Sequence, residues 1–185
     1  MMIETESTPN PDTLKFLPGK KVSEAGPIEF LKKDKNIKVS LAKKILSLKG
    51  TTTVFFGNDF ITVKKEKELN WSDLKHSIIS EINDYYSKGN EVVVSKNSSE
   101  LNQNLDKTNS SDIINKINEV LDSKIRPAVA RDGGDIKFKS FKDGTVIVEL
   151  KGSCSGCPSS VMTLKNGVQN LLCHYIPEVK KVEAI

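Results

Sequence analysis

The sequence predicts an α+β protein built from two small, mixed α/β domains joined by a flexible linker. Three observations lead to this prediction: helical and strand periodicities alternate along the chain, the composition is that of a folded protein, and one polar stretch interrupts the pattern. Of the 185 residues, 37% are hydrophobic and 28% are charged, as in ordinary globular domains. A chain of this length accommodates two small domains.

The polar stretch covers residues 89–111. Apart from a short valine run at 92–94, it consists mostly of Ser, Asn, Gln, Lys and Glu. Such a segment buries too little apolar surface to offset the entropy lost on ordering. We therefore predict a first domain at residues 1–88, a flexible linker at 89–111 and a second domain at 112–185.

In the first domain, we predict strands and helices from their periodicity and their turn residues. Strand formers at 51–56 and 60–63 flank the turn Gly57-Asn58-Asp59, which is a strong hairpin signal. Residues 13–17 predict a further strand. Ser40 and Ser72 each precede apolar residues at helical spacing, so we predict that they cap two helices.

The second domain has the predicted order helix, strand, strand, helix, strand. Apolar residues at helical spacing begin after Ser111 and Asp112, and Pro127 should kink or break this helix. The glycines at 133 and 134 should end it. Alternating residues then predict two strands, a cysteine-containing loop follows, and a helix opens with Pro158 at its first position. A short strand closes the chain.

The loop between the second strand and that helix contains Cys154 and Cys157 in a C-x-x-C arrangement. This spacing lets two thiolates converge on one soft metal, which is half of the ligand set that tetrahedral zinc or a cubane iron–sulfur cluster requires. Cys173, the third cysteine, stands apart from the pair. Either the pair does redox chemistry by itself, or a second subunit supplies two more thiolates.

The predicted position of the pair has an electrostatic consequence. Cys154 follows a strand end and Cys157 lies at the start of a helix, where free N–H groups and the helix dipole favour negative charge. We therefore expect an exposed loop in which the pKa of both thiols is lowered.

Other polar residues are interpreted as structural. Cys173 is expected to be a small packed residue, His174 to interact with a helix C-terminus, and His76 to lie on the surface. Near the paired glycines, the polar side chains are expected to serve the turn rather than form a catalytic cluster; these are Arg131, Asp132 and Asp135.

Charge and hydropathy exclude two partner classes. The net charge of +4 is spread thinly, without the clustered basic face of a nucleic-acid binder. No apolar run approaches a membrane-spanning length. The acidic start of the chain lacks the features of an export signal, and three cysteines without such a signal favour a reducing compartment over a disulfide framework.

Two functions from different classes fit the cysteine pair. In one, two subunits face each other across a twofold axis and four thiolates hold one [4Fe–4S] cluster, which the protein carries. In the other, the pair acts as a thiol–disulfide oxidoreductase, although the domain lacks the opening βαβ unit of that class. A shared zinc site is a third, weaker alternative.

Specific motifs carry a family resemblance. The second domain resembles the C-terminal NifU-type domain of Nfu proteins through residues 126–128, 132–135, 150–160 and 175–179. Residues 1–88 resemble the Nfu N-terminal domain through residues 5–11, 15–19 and 56–63. The resemblance covers nearly everything except the linker, and the family motif does not require Cys173.

This resemblance implies an iron–sulfur cluster carrier rather than an enzyme. It implies that Cys154 and Cys157 ligate a [4Fe–4S] cluster between the subunits of a homodimer. The implied partners are a cluster donor and client apoproteins, which the N-terminal domain would contact. The absence of a leader favours the bacterial cytoplasm, or the mitochondrial matrix if the chain is a processed form.

Overall fold

The computed structural model describes residues 2–94, 112–155 and 158–185, and the side chains of residues 158–160 lie outside this described part. The chain divides into two compact units, Met1–Asn102 and Gln103–Ile185. Each unit combines helices with one sheet. The predicted α+β class is therefore confirmed.

The described part of the first unit contains a five-stranded antiparallel sheet and two helices. The sheet order is β1-β2-β5-β4-β3. In chain order the elements are β1 (Glu4–Ser7), β2 (Thr13–Leu17), β3 (Ile28–Leu31), α1 (Ser40–Ser47), β4 (Thr51–Phe56), β5 (Ile61–Lys65) and α2 (Trp71–Ser87).

The hairpin of β4 and β5 confirms the strongest turn prediction, with Phe56 opposite Ile61 in the register. The strands β1 and β3 were not predicted. Both are four-residue strands at the sheet edges, where side chains are less buried and the alternation of apolar residues is weak.

The two predicted serine caps are wrong. Helix α1 begins at Ser40 itself after Val39, and α2 begins at Trp71 after Asn70; neither preceding residue makes a side-chain capping bond. Packing of the apolar faces accounts for these helices, since Leu41, Ile45, Ile78 and Ile82 join sheet residues in a hydrophobic cluster. Burial of such side chains stabilises a helix more than a cap does.

The first unit extends into the segment predicted as a linker. Val93 and Val94 are buried, and their N–H groups both donate to the Val22 carbonyl, at 2.9 and 3.1 Å. The Glu24 N–H donates to the Val94 carbonyl at 2.8 Å. The predicted linker therefore overlaps the first unit at residues 89–94, and residues 95–111 lie outside the described residues.

The second unit has the predicted element order. Its elements are α3 (Asp112–Val120), a π-helical segment (Leu121–Ile125), α4 (Arg126–Arg131), β6 (Gly134–Lys142), β7 (Thr145–Gly152), α5 (Pro158–Tyr175) and β8 (Lys181–Ala184). Strands β6 and β7 are antiparallel, and β7 and β8 are parallel. The helix α5 connects the two parallel strands and packs on the sheet through Val168 and Leu172.

The π-helical segment follows from the spacing of the apolar residues. Ile117, Leu121, Ile125 and Val129 are all buried at intervals of four residues. In an α-helix that interval drifts by about 40° per step around the axis, and the wider π turn compensates for the drift. Helical structure therefore continues to Pro127, which lies in the first turn of α4, so the predicted break is replaced by a π turn.

Candidate functional site

The strand pair β6–β7 positions the cysteine loop. Gly134, at the start of β6, lies opposite Gly152, at the end of β7. Gly152 has a φ of 68°, a left-handed conformation that glycine adopts without steric cost. The Ser155 N–H and hydroxyl both donate to the Gly152 carbonyl, at 3.2 and 2.9 Å. The chain therefore turns sharply off the strand, and Cys154 lies within that turn.

Cys154 is buried rather than exposed. It retains 6% of its accessible surface and belongs to the hydrophobic core of the second unit. A methyl group built on Gly134 would come within 2.8 Å of Cys154 Sγ and within 2.6 Å of the Lys151 carbonyl oxygen. Only a residue without a side chain fits at position 134 while the thiol holds this place.

The turn between α4 and β6 is hydrogen-bonded to Ser153, the residue before Cys154. The Ser153 N–H donates to the Gly133 carbonyl at 3.2 Å, and the Ser153 hydroxyl donates to the Asp132 carbonyl. The same hydroxyl lies 3.8 Å from Cys154 Sγ. Gly133 has a φ of 82°, as expected for a glycine that closes a helix. The turn and the cysteine loop thus form one hydrogen-bonded structure.

The environment of Cys154 overturns the predicted lowering of its pKa. Burial raises the pKa of the Cys154 thiol to about 11, because the thiolate would lose its hydration. The hydrogen bond with Ser153 opposes this effect, and the nearby carboxylates of Asp132 and Asp135 add to it. Cys154 is therefore protected and carries a neutral thiol at neutral pH.

Cys157 and Gly156 lie outside the described residues, so the role of Cys157 as a ligand stays a prediction. Within residues 2–94, 112–155 and 158–185, no three His, Cys, Asp or Glu side chains gather in a position to hold a metal ion.

The remaining candidate residues lie apart from any common site. Cys173 is half-buried and packs against the core of the second unit. His174 is exposed and its ring contacts Tyr175, with ring centroids 5.1 Å apart. His76 is exposed, as predicted, and one ring nitrogen lies 3.3 Å from the Ser72 carbonyl oxygen.

The sequence did not predict the ion pair between Arg126 and Asp135, the residue that follows Gly134 in β6. Arg126 Nε donates to Asp135 Oδ1 at 3.1 Å, and Arg126 Nη2 donates to the Ile136 carbonyl at 3.1 Å. Asp135 is buried, and burial raises the pKa of its carboxyl while Arg126 opposes that effect. The one signal in the sequence is that Arg126 and Asp135 both lie in motifs of the family resemblance. No helical or strand periodicity relates residues that are nine apart and separated by a turn.

Fold and site together define a class of small α+β proteins in which a C-x-x-C loop joins a sheet strand to a long helix. Residues 3–89 match the family described as "Scaffold protein Nfu/NifU N terminal", and residues 117–183 match the family described as "NifU-like domain". The chain belongs to this Nfu/NifU family, which confirms the resemblance found in the sequence.

Individual relatives agree with this assignment. The chain is 44% identical over 187 residues to the human protein "NFU1 iron-sulfur cluster scaffold homolog, mitochondrial", covering 100% of this chain and 72% of that protein. It is 42% identical over 185 residues to "NifU-like protein 4, mitochondrial" of Arabidopsis thaliana, covering 99% of this chain and 65% of that protein.

A solution NMR structure of a NifU-like protein from Saccharomyces cerevisiae is 29% identical to this chain. The superposition covers 52% of this chain and 86% of the yeast chain, with a TM-score of 0.47.

Proposed function

We propose that this protein carries a [4Fe–4S] cluster as cargo, held between two copies of the chain by Cys154 and Cys157 of each copy, and transfers it to client apoproteins. The human relative is named an iron-sulfur cluster scaffold homolog. The single observation that carries the proposal is the placement of Cys154 at a strand end, in a glycine-flanked turn of a family whose described role is scaffolding. Membership of the Nfu/NifU family supports a role in iron–sulfur cluster assembly. We further propose that the cluster is of the [4Fe–4S] type and that two chains share its ligation.

The ligand count supports a shared site. A cubane cluster takes four thiolate ligands, and the motif supplies two per chain. A twofold axis that passes through the cluster brings two equivalent loops together and completes the set. A cluster at such an interface has more solvent contact than one buried within a single chain, and that exposure suits a cargo.

The buried thiol supports loading that is coupled to deprotonation. A cysteine must lose its proton to bind iron, so metal binding releases protons and stabilises the bound conformation. Because burial raises the pKa of Cys154, the cluster-free thiol resists oxidation and alkylation. The positive charge of bound iron would then stabilise the Cys154 thiolate at this buried position.

Transfer proceeds by ligand exchange. A client cysteine loses its proton, binds an iron atom of the cluster, and displaces Cys154 or Cys157, whose sulfur takes up a proton as it leaves. Repetition of this exchange moves the cluster with no change in its oxidation state. No general acid or base of this chain is required, so we propose a carrier and not an enzyme.

The oxidoreductase alternative requires a nucleophilic thiolate at neutral pH. The raised pKa of Cys154 opposes that chemistry for this cysteine. The observation favours cluster carriage, and rapid catalytic reduction of insulin disulfides by the purified protein would reverse this preference.

The proposed partners are a cluster donor and client apoproteins, with no nucleic acid and no membrane. Among the helices that the structure describes, none combines the length and the apolar character needed to cross a membrane. The two named relatives are mitochondrial proteins, so we propose the mitochondrial matrix, the second of the two expected locations, in place of the bacterial cytoplasm.

Cysteine variants test the proposal under anaerobic reconstitution with iron and sulfide. Cys154→Ser and Cys157→Ser should each lose the iron–sulfur absorbance at about 400 nm, because a cluster short of thiolates is not retained. Cys173→Ser, the matched control, should keep it. Full absorbance in Cys154→Ser would overturn the assignment of the ligands.

A further inference from the structure

The contacts of Arg126 connect the helical part of the second unit to the cysteine loop. Its guanidinium makes one hydrogen bond to the Asp135 carboxylate and one to the Ile136 carbonyl, each 3.1 Å long. It also pairs with Asp122, one helical turn earlier. Arg126 thus reaches from the helix to the first residues of β6.

The π-helical segment helps to direct this side chain. The Arg126 N–H donates to the Leu121 carbonyl, five residues earlier, which is the π-type bond. A π turn contains an extra residue and so changes the direction of the side chains that follow it. Leu121 and Ile125, the first and last residues of this segment, remain buried in the core. Arg126, which follows Ile125, is partly exposed and extends toward β6.

The Arg126–Asp135 pair differs from the ion pairs on the protein surface. The Asp135 side chain retains 11% of its accessible surface, and that of Arg126 retains 39%. A partly buried carboxylate that accepts a charged hydrogen bond is costly to leave unpaired. By contrast, the Asp122 carboxylate retains 57% of its exposure and contributes little.

Asp135 is next to the residue that touches the cysteine. Gly134 lies against Cys154 Sγ so closely that an added methyl group would come within 2.8 Å of it. The turn ahead of Gly134 accepts both hydrogen bonds that Ser153 donates, through the carbonyls of Asp132 and Gly133. Movement of Asp135 would therefore move the wall against which Cys154 is packed.

We propose that Arg126 is a positioning residue for the proposed cluster ligand Cys154. Arg126 holds Asp135 and the Ile136 carbonyl, and so fixes the Asp132–Asp135 turn against Cys154. Without the guanidinium, the turn separates from the cysteine loop more often, and the thiol becomes accessible in the cluster-free protein. The consequence for cluster retention rests on the proposed function, whereas the effect on thiol accessibility does not.

The test measures the alkylation rate of Cys154 by iodoacetamide in the cluster-free full-length chain. A Cys157→Ser, Cys173→Ser background leaves Cys154 as the sole thiol. In this background, Arg126→Gln should accelerate alkylation by about ten- to a hundredfold, the population change expected when a charged hydrogen bond no longer opposes local opening. Arg126→Lys, which keeps the charge but loses the fork geometry, should give an intermediate rate.

Two further variants separate positioning from general damage. Lys139→Gln removes an ion pair with Glu149 between the same strands β6 and β7. It should change the rate by less than about twofold, because both of these side chains are partly exposed, at 40% and 28%, and such pairs contribute little. Asp135→Asn keeps the shape of the side chain. It should accelerate alkylation as Arg126→Gln does, by more than any lowering of the Cys154 pKa accounts for when that pKa is read from the pH dependence of the rate. It carries the comparison if Arg126→Gln does not fold, as judged by circular dichroism.

Cluster loading of the same substitutions with the native cysteines gives the second readout. Arg126→Gln should load less cluster than the wild type and show an altered visible circular dichroism spectrum, whereas Lys139→Gln should match the wild type. An unchanged Cys154 alkylation rate in folded Arg126→Gln or Asp135→Asn would overturn the positioning proposal. A wild-type protein that binds no cluster would overturn the proposed function instead, and the alkylation comparison would still decide the role of Arg126.

Discussion

The close contact between Gly134 and Cys154 leads to a quantitative prediction for Gly134→Ala. The added methyl group would approach Cys154 Sγ to 2.8 Å and the Lys151 carbonyl oxygen to 2.6 Å. Both distances are far below van der Waals contact between such atoms. Because Gly134 does not have a positive φ, the cost is steric and does not arise from backbone strain.

The magnitude follows from what must move. One neighbour is a backbone carbonyl in the β6–β7 pair and the other is a core sulfur, so neither is the free end of a flexible side chain. Overpacking of this kind costs about 1–3 kcal/mol. For a unit of this size, each kcal/mol lowers Tm by about 4–8 °C, so Gly134→Ala should lower the Tm of the second unit by about 4–24 °C.

Gly167→Ala is the matched control. Gly167 lies within α5, and nothing lies within 4 Å of the position that its methyl group would occupy. Alanine is favoured over glycine inside a helix by about 0.5–1 kcal/mol, so this variant should raise Tm by a few degrees. Thermal unfolding of both cluster-free variants, followed by far-UV circular dichroism, gives the comparison.

The same pair of variants should differ in cluster loading. Gly134→Ala forces Cys154 Sγ away from its position and should lower the amount of cluster retained after reconstitution, whereas Gly167→Ala should load as the wild type does. If Gly134→Ala matched Gly167→Ala in both Tm and loading, the close packing of Cys154 against β6 would be refuted, together with the argument built on it.

Two other predictions concern the buried thiol and the extent of the first unit. The pKa of Cys154 rises from 9.0 to about 11 on folding, so the unfolded chain ionises first and the free energy of unfolding should fall by about 2–3 kcal/mol between pH 9 and pH 11. Denaturant titrations across that range should show a smaller fall in Cys154→Ser; an equal fall would contradict the raised pKa. A fragment of residues 1–94 should be more stable than one of residues 1–88 by about 2–5 kcal/mol, because only the longer fragment buries Val93 and Val94. Equal urea midpoints would show that the two valines contribute nothing to this unit.

Much of the fold was predictable from local patterns. The β4–β5 hairpin and the elements of the second unit, except its π-helical segment, have periodicities and turn residues that a sequence displays directly. The edge strands β1 and β3 were missed because a short strand paired on one side needs little apolar patterning. The burial of Val93 and Val94 was not predicted, because their neighbours in the sequence are polar and because it depends on backbone hydrogen bonds to Val22.

The environment of Cys154 was not predictable from the sequence, and ligation by Cys154 and Cys157 stays a prediction that rests on their spacing. The burial of Cys154 depends on Gly134, which is twenty residues earlier in the chain and lies opposite Gly152 in the sheet. Local rules about strand ends and helix dipoles therefore predicted a lowered pKa for Cys154, whereas burial raises it. The Arg126–Asp135 pair was hidden for a similar reason, since a π turn and a glycine turn together bring the two residues into contact.

The most direct test of the account is the iron and sulfide content of anaerobically reconstituted protein, measured together with its mass by native mass spectrometry. Sharing of one cubane cluster by two chains predicts a dimer with about two irons and two sulfides per chain, which returns to monomer when the cluster is removed. A complete cluster on a single chain, or a protein that binds zinc but never iron and sulfide, would contradict it.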